Sequence, residues 1–435
     1  MKEIAAAGVV GAGGGGYPTH AKAKFRCRVI IANGAECEPL LGNDKLVLLL
    51  YKSEVLEGLR TLGQITGARR LVVAIKEKYE DVVRAWRGQA GVELCMLDNT
   101  YPAGDEHEIV RDVVHTTIPE MGFPPDVDAL TFNVETLLNV ARARSGTPVT
   151  HRHVSVIGEV AHPAVYRVPI GTPVDDVVRS AGGATCSAPV FLLGGVMMGR
   201  LAESGEEPIT KTNGGLYILP QDHPLVSIYR RSVTHRMSEA RSACTQCVLC
   251  TEACSRNTLG HRLYPHKIMR LADLQLHEDS PLARSVFLCS ECGCCEFACP
   301  MGLSPRRVIQ GLKANLRRRG ISYDPGRFSP RAREFRDIRH LPAERIVARY
   351  GLTKYQRTLQ LSDEKIKPAR VRIATKQHIG AAAEPVVSAG DRVKTGDLIA
   401  RIRDNQLGAN VHSSICGRVM EVNAAYVVIT AGEGS

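Results

Sequence analysis

Two short apolar runs, Arg28-Val-Ile-Ile-Ala32 and Leu71-Val-Val-Ala-Ile75, flank a stretch from Leu46 to Leu62 whose apolar residues recur at helical spacing. Unbroken apolar runs of strand length around an amphipathic helix predict buried parallel strands in an α/β domain. Ile4-Ala-Ala-Ala7 reads as helical, as does Tyr264 to Leu276 further on. From Lys367 the pattern changes to short strands punctuated by turn residues: Val386 to Val393, Gly396 to Ile402, Ala409 to His412 and Gly417 to Val422. No run of about 18 apolar residues occurs, which excludes an obvious spanning helix. The start, Met1-Lys2-Glu3-Ile4 and then small residues, lacks the features of a secretory signal, so a soluble cytoplasmic protein is expected.

The 435 residues exceed one ordinary core, and domains of roughly 100–200 residues predict three or four in series. A net charge of +11 is compatible with nucleic acid, an acidic partner or a solvated basic face. The arginines are densest from Arg306 to Arg349, without any zinc-finger, RNA-recognition or basic-zipper pattern, so nucleic acid is not expected.

Composition matters most in the cysteines. Nine of the 14 lie between Cys244 and Cys299, and in a leaderless chain with reduced thiols that concentration predicts metal binding. Cys244, Cys247, Cys250 and Cys254 share the spacing C-x2-C-x2-C-x3-C with Cys289, Cys292, Cys295 and Cys299, offset by 45 residues. Structural zinc uses paired C-x2-C units and gives no reason for a third cysteine in each run. Three thiolates in a tight loop can hold three irons of a cubane while a distant fourth crosses over, as in two-cluster ferredoxins. The expected ligand sets are therefore Cys244, Cys247, Cys250 and Cys299 for one [4Fe–4S] cluster, and Cys254, Cys289, Cys292 and Cys295 for the other. Cys294 breaks the spacing and is expected not to be a ligand. Pro300 follows the second run, whereas Ser255 stands at that place after the first.

Gly11-Ala-Gly13-Gly-Gly-Gly16 satisfies G-x-G-x-x-G, with Glu36 about 20 residues further on. No strand precedes it and Pro18 follows, so a dinucleotide fingerprint is not expected. Consecutive glycines nevertheless let backbone N–H groups approach a phosphate or a flat ring. Three further segments gather polar groups: Asn33-Gly34-Ala35-Glu36-Cys37-Glu38-Pro39 at the end of the first strand, Tyr101-Pro-Ala-Gly104-Asp105-Glu106, and Asn133-Val-Glu135-Thr136-Leu-Leu-Asn139.

Together with the glycine-rich loop, Gly11 to Lys22, these segments resemble in order the flavin-binding subunit of respiratory complex I and, more closely, the flavoproteins of the RnfC and cobalamin-reductase type. That resemblance implies FMN bound through Gly11, Gly13, Lys22, Asn33, Glu36, Tyr101, Gly104 and Asn133, with Lys22 at the phosphate and Glu106 on the nicotinamide side of the flavin. Ala12 stands where complex I relatives have arginine. His153 to Val160, Val168 to Pro173 and Gly194 to Gly199 resemble the β-grasp SLBB domain of these proteins, in which Met197 and Met198 would pack rather than ligate. His261 and His266 are expected to be structural. The C-terminal strands resemble a barrel-sandwich hybrid domain of the biotinyl and lipoyl type, with Gln406 where carriers have their modified lysine. An unmodified domain serving in assembly is implied.

The implied fold is multidomain α/β and α+β: an FMN and NADH domain at 1–148, SLBB at 149–225, a bacterial-ferredoxin-like two-cluster domain at 226–335, a basic linker at 336–366 and an all-β barrel-sandwich domain at 367–435. Its position after the ferredoxin segment favours the cobalamin-reductase type over RnfC. The implied activity is an NADH:acceptor oxidoreductase using FMN and two [4Fe–4S] clusters, with cobalamin or an acidic electron-carrier protein as acceptor. The implied location is the cytoplasm or a bacterial microcompartment. The alternatives are a relay subunit of a larger complex without turnover of its own, and a scaffold with a vestigial flavin site.

Overall fold

A computed structural model describes residues 1–274, 280–326 and 328–432. The first apolar run forms the strand Val29–Gly34, central in a parallel four-stranded sheet of order Glu93–Leu97, Arg70–Lys76, Val29–Gly34, Ala129–Asn133. Both faces are covered. Helices Lys52–Thr66 and Val134–Arg144 pack on one face through Val55, Leu59, Leu62, Leu137 and Leu138, and helix Glu106–Val114 covers the other with Ile109, Val110 and Val113. The stretch from Leu46 to Leu62 is two helices, Asn43–Leu50 and Lys52–Thr66, because Tyr51 leaves helical geometry.

The second sheet is five-stranded and mixed, with the parallel pair His151–Gly158 and Gly215–Pro220 at its centre. Around the cysteine runs lie short helices and two longer ones, Val233–Ala243 and Pro305–Arg318. The helix expected from Tyr264 to Leu276 is observed as Pro265–Leu274, and Leu276 lies outside the described residues. The C-terminal residues form a four-stranded and a three-stranded antiparallel sheet.

Residues 336–366 are not the linker their charge suggests. They hold the helices Arg336–Arg339 and Ala343–Arg349, and Leu341–Pro342 pairs with Thr100–Tyr101 in a two-stranded sheet. Leu341, Ile346, Val347, Leu352, Tyr355 and Leu359 are buried in one core with Tyr101, Tyr217 and Met197. Arg336 is ion-paired with Glu108 and Asp112. The arginine density conceals an apolar stripe that straps three parts of the molecule together.

Candidate functional site

Several of the residues expected at the flavin lie at the carboxyl edge of the parallel sheet, while the Tyr101 side chain is buried in a separate core. Asn33 and Asn133 are register partners on adjacent strands, where the chain order reverses between Val29–Gly34 and Ala129–Asn133. In doubly wound sheets this switch point is where ligands bind. Asn33 donates to the Gly104 carbonyl at 2.9 Å and accepts from the Ala35 N–H at 3.2 Å. Asn133 caps the helix Val134–Arg144 by accepting from Glu135 N–H, and donates to Asp44 at 2.9 Å.

The glycine-rich loop lies against this edge. A Cβ at Gly13 would stand 3.4 Å from that of Asn133, whereas at Gly14 or Gly15 it would meet nothing within 4 Å, leaving backbone open to a ligand. A Cβ at Gly104 would lie 2.9 Å from that of Cys37 and 3.1 Å from that of Ala35. Ala12 is anchored between the Thr136 hydroxyl, which its N–H reaches at 2.9 Å, and Arg152, which donates to its carbonyl at 2.6 Å. Arg152 is itself buried in an ion pair with Glu135. No local motif marks Arg152 or Asp44; Arg152 reaches the loop, and Asp44 reaches Asn133, only through the folded packing.

Lys22 and Glu106 form an ion pair, and Thr131 bonds to the same carboxylate oxygen. The Lys22 ammonium also lies 5.4 Å from the centroid of the Phe132 ring. The residue expected at the flavin phosphate and the one expected on the nicotinamide side thus have their charged ends in contact. Glu36 is buried and its carboxylate accepts from the N–H groups of Asp44 and Lys45 at the start of a helix. Burial first, and the neighbouring Asp44 carboxylate second, push it up to about 8. The C-terminal domain also reaches the loop. Ile379 N–H donates to the Gly16 carbonyl at 3.0 Å, and buried Lys211 donates to the carbonyls of Gly8 and Asn410, both at 2.8 Å.

Eight of the nine clustered cysteines line two separate cavities. Cys244, Cys247, Cys250 and Cys299 border the first; Cys254, Cys289, Cys292 and Cys295 border the second. Each cavity thus draws three cysteines from one run and one from the other, a donor set that fits a cubane. Cys294 borders neither and is buried in the apolar core beside Met197 and Val196. Its thiol stays well above the ordinary range, through hydrogen bonding to Cys292 and burial. Cys247 is exposed at the first cavity, while Cys254, Cys292 and Cys295 at the second are buried.

Segment 101–106 connects the two kinds of site. The buried Tyr101 hydroxyl donates to the Cys292 carbonyl at 2.6 Å. Asp105 is ion-paired at 2.7 Å with Arg256, which borders the second cavity. Burial alone would raise the Asp105 carboxyl, but the guanidinium brings it down to about 2. A third contact runs from Glu38, which accepts from the N–H groups of Met197 and Met198 at 2.9 and 2.8 Å. The methionines thus meet the flavin domain through their backbone, and Met197 packs in the core while Met198 is exposed. His261 bonds to the Ile118 carbonyl, and His266, which borders the first cavity, bonds to Thr251.

Over 435 residues the chain is 38% identical to the cobalamin reductase PduS of Salmonella typhimurium, covering 99% of this chain and 96% of that one. The chain belongs to the PduS cobalamin reductase family. Its likeness to the Citrobacter freundii member is 36% over the same coverage. Residues 4–142 match the Nuo51 FMN-binding domain, 153–201 the SLBB domain, 243–304 the 4Fe-4S dicluster domain and 353–433 the RnfC barrel sandwich hybrid domain. A component of the ion-translocating oxidoreductase complex of Vibrio cholerae is 28% identical over 275 residues, which cover 61% of this chain and 34% of that component. This family member is therefore an FMN and iron–sulfur flavoprotein with the four expected kinds of domain. Among the described residues no helix is long and apolar enough to cross a membrane.

Proposed function

We propose that this chain takes electrons from NADH and delivers them singly to cobalamin. FMN would be held by Gly11, Gly13, Lys22, Asn33, Glu36, Tyr101, Gly104 and Asn133, and the clusters by the two cysteine sets that border the cavities. Bound FMN supplies the conversion between a hydride pair and single electrons, which clusters carry one at a time.

The observation that supports this reading is segment 101–106, which bonds Gly104 to Asn33 and Glu106 to Lys22 and ties Tyr101 and Asp105 to the second cavity. The Cys254, Cys289, Cys292 and Cys295 site is the one next to the flavin domain, and the Cys244, Cys247, Cys250 and Cys299 site is the outlet, with Cys247 at the surface. Around them the chain's own groups fix geometry. Arg152 and Thr136 hold the glycine loop, Asn33 orients Gly104, and Lys22 and Glu106 place a cation and a carboxylate side by side. Cobalamin as acceptor is supported by the names of the relatives that match end to end. The same reading keeps the enzyme in a reducing compartment, the cytoplasm or a microcompartment within it.

The test is anaerobic reduction of cobalamin by NADH with the purified, cluster-loaded chain and no other protein. Turnover dependent on FMN supports the proposal. The C-terminal match to the RnfC barrel sandwich hybrid domain favours a second reading, a relay within a complex. Reduction of flavin and clusters without cobalamin turnover would support it instead.

A further inference from the structure

The two cysteine runs are repeats, so differences between equivalent positions show where the two sites have been made unequal. Resting on the ligand sets above, we propose that the Cys254, Cys289, Cys292 and Cys295 site is built for the higher reduction potential, and that Ser255 is a positioning residue that sets part of the gap.

Ser255 and Pro300 are equivalent, each following the last cysteine of its run and each bordering a cavity. Ser255 is buried, and its Oγ lies 3.8 Å from the Cys292 Sγ. With that sulfur a thiolate, the hydroxyl must be the donor. Pro300 offers the other site no donor at all.

The other donors to the two cysteine sets are of similar kind. Gln246 donates its side-chain amide to Cys244 Sγ at 3.1 Å, and Glu291 donates its backbone N–H to Cys289 Sγ at 3.3 Å. Arg349 donates to the Cys299 carbonyl at 2.8 Å, and Lys313, ion-paired with Glu291, donates to the Cys289 carbonyl at 3.0 Å. What differs is the wall. Arg256 and Arg306 border the second cavity while their partners Asp105 and Glu296 do not, and the described lining of the first cavity holds no arginine or lysine. Reduction adds negative charge, and hydrogen bonds to sulfur together with net local charge set cluster potentials. Exposure of Cys247 acts the other way, but oriented donors and two guanidinium groups in a buried site outweigh mobile water. Electrons would rest on the inner cluster and leave from an outer one of greater reducing power.

The experiment is a potentiometric titration of the intact cluster-loaded chain, followed by electron paramagnetic resonance. Two separate waves are expected. Ser255→Ala should lower the higher wave by about tenfold in equilibrium constant, ~59 mV for one electron, leaving the lower wave, flavin and iron contents unchanged. Ser255→Thr should restore it. Coincident waves in the parent chain, or a Ser255→Ala variant that moves neither wave or both, would overturn the proposal. Cys254→Ser separates the two layers of the reading. Loss of one cluster's iron with the higher wave supports both, loss of the lower wave keeps the ligand sets but overturns the order, and unchanged iron overturns the sets themselves.

Discussion

The Tyr101 hydroxyl donates a 2.6 Å hydrogen bond to the backbone carbonyl of Cys292, so a residue of the flavin domain holds the loop that borders the second cluster cavity. Both groups are buried. Tyr101→Phe leaves that carbonyl unpaired, at a cost of about 1–3 kcal/mol. The variant should denature at lower denaturant concentration while retaining parental FMN and iron contents when folded. Unchanged stability would show that the bond contributes nothing.

Lys22 and Glu106 act as one unit, so their substitutions should diverge. Lys22→Ala removes the cation at the glycine edge and should weaken FMN roughly tenfold, about 1.4 kcal/mol, without loss of iron. Glu106→Gln frees the ammonium and should hold FMN at least as tightly while slowing NADH oxidation. Equilibrium binding of FMN to the flavin-stripped proteins and stopped-flow flavin reduction read the two effects. Equal loss of flavin in both variants would contradict the assignment.

Glu36 gives a pH prediction. Its carboxyl stands at about 8 when folded against an ordinary value of 4.5, so neutral Glu36 favours the folded state at low pH. That contribution is present below 4.5 and is lost as the pH rises through 8. Glu36→Gln should therefore flatten the decline in stability between about pH 5 and 8. Its advantage over the parent should grow with pH, by up to ~1.4 kcal/mol per pH unit. A parallel pH profile in the two proteins would show that Glu36 does not titrate there.

Cys294 and Cys295 are neighbours with opposite expected roles. Cys295→Ser should lower the iron content from about eight to about four per chain, whereas Cys294→Ser should keep it. The reverse result would move the ligand by one position.

Much of this was legible in the sequence because it depends on local spacing. The cysteine intervals give the two cavity linings, and the apolar runs give Val29–Gly34 and Arg70–Lys76. What was not legible depends on packing between distant segments. Arg152 meets Ala12 across 140 positions, and the Tyr101 hydroxyl turns to Cys292 across 191. The strap at 336–366 was hidden for another reason: its charged residues, such as exposed Arg345 and Arg349, mask the apolar spacing, while Ile346 and Leu352 are fully buried. Lys22 and Glu106, each expected at the flavin, could not be placed relative to each other until the helix Glu106–Val114 was set against the strand Ala129–Asn133.

On the proposed route, the cluster held by Cys254, Cys289, Cys292 and Cys295 stands between the flavin and the outer cluster. Cys254→Ser, loaded anaerobically with FMN and iron, tests it by rapid mixing with NADH, freeze-quenching and paramagnetic resonance. The flavin should be reduced at the parental rate while the remaining cluster stays oxidised on that timescale. Reduction of the remaining cluster as fast as in the parent chain would contradict it.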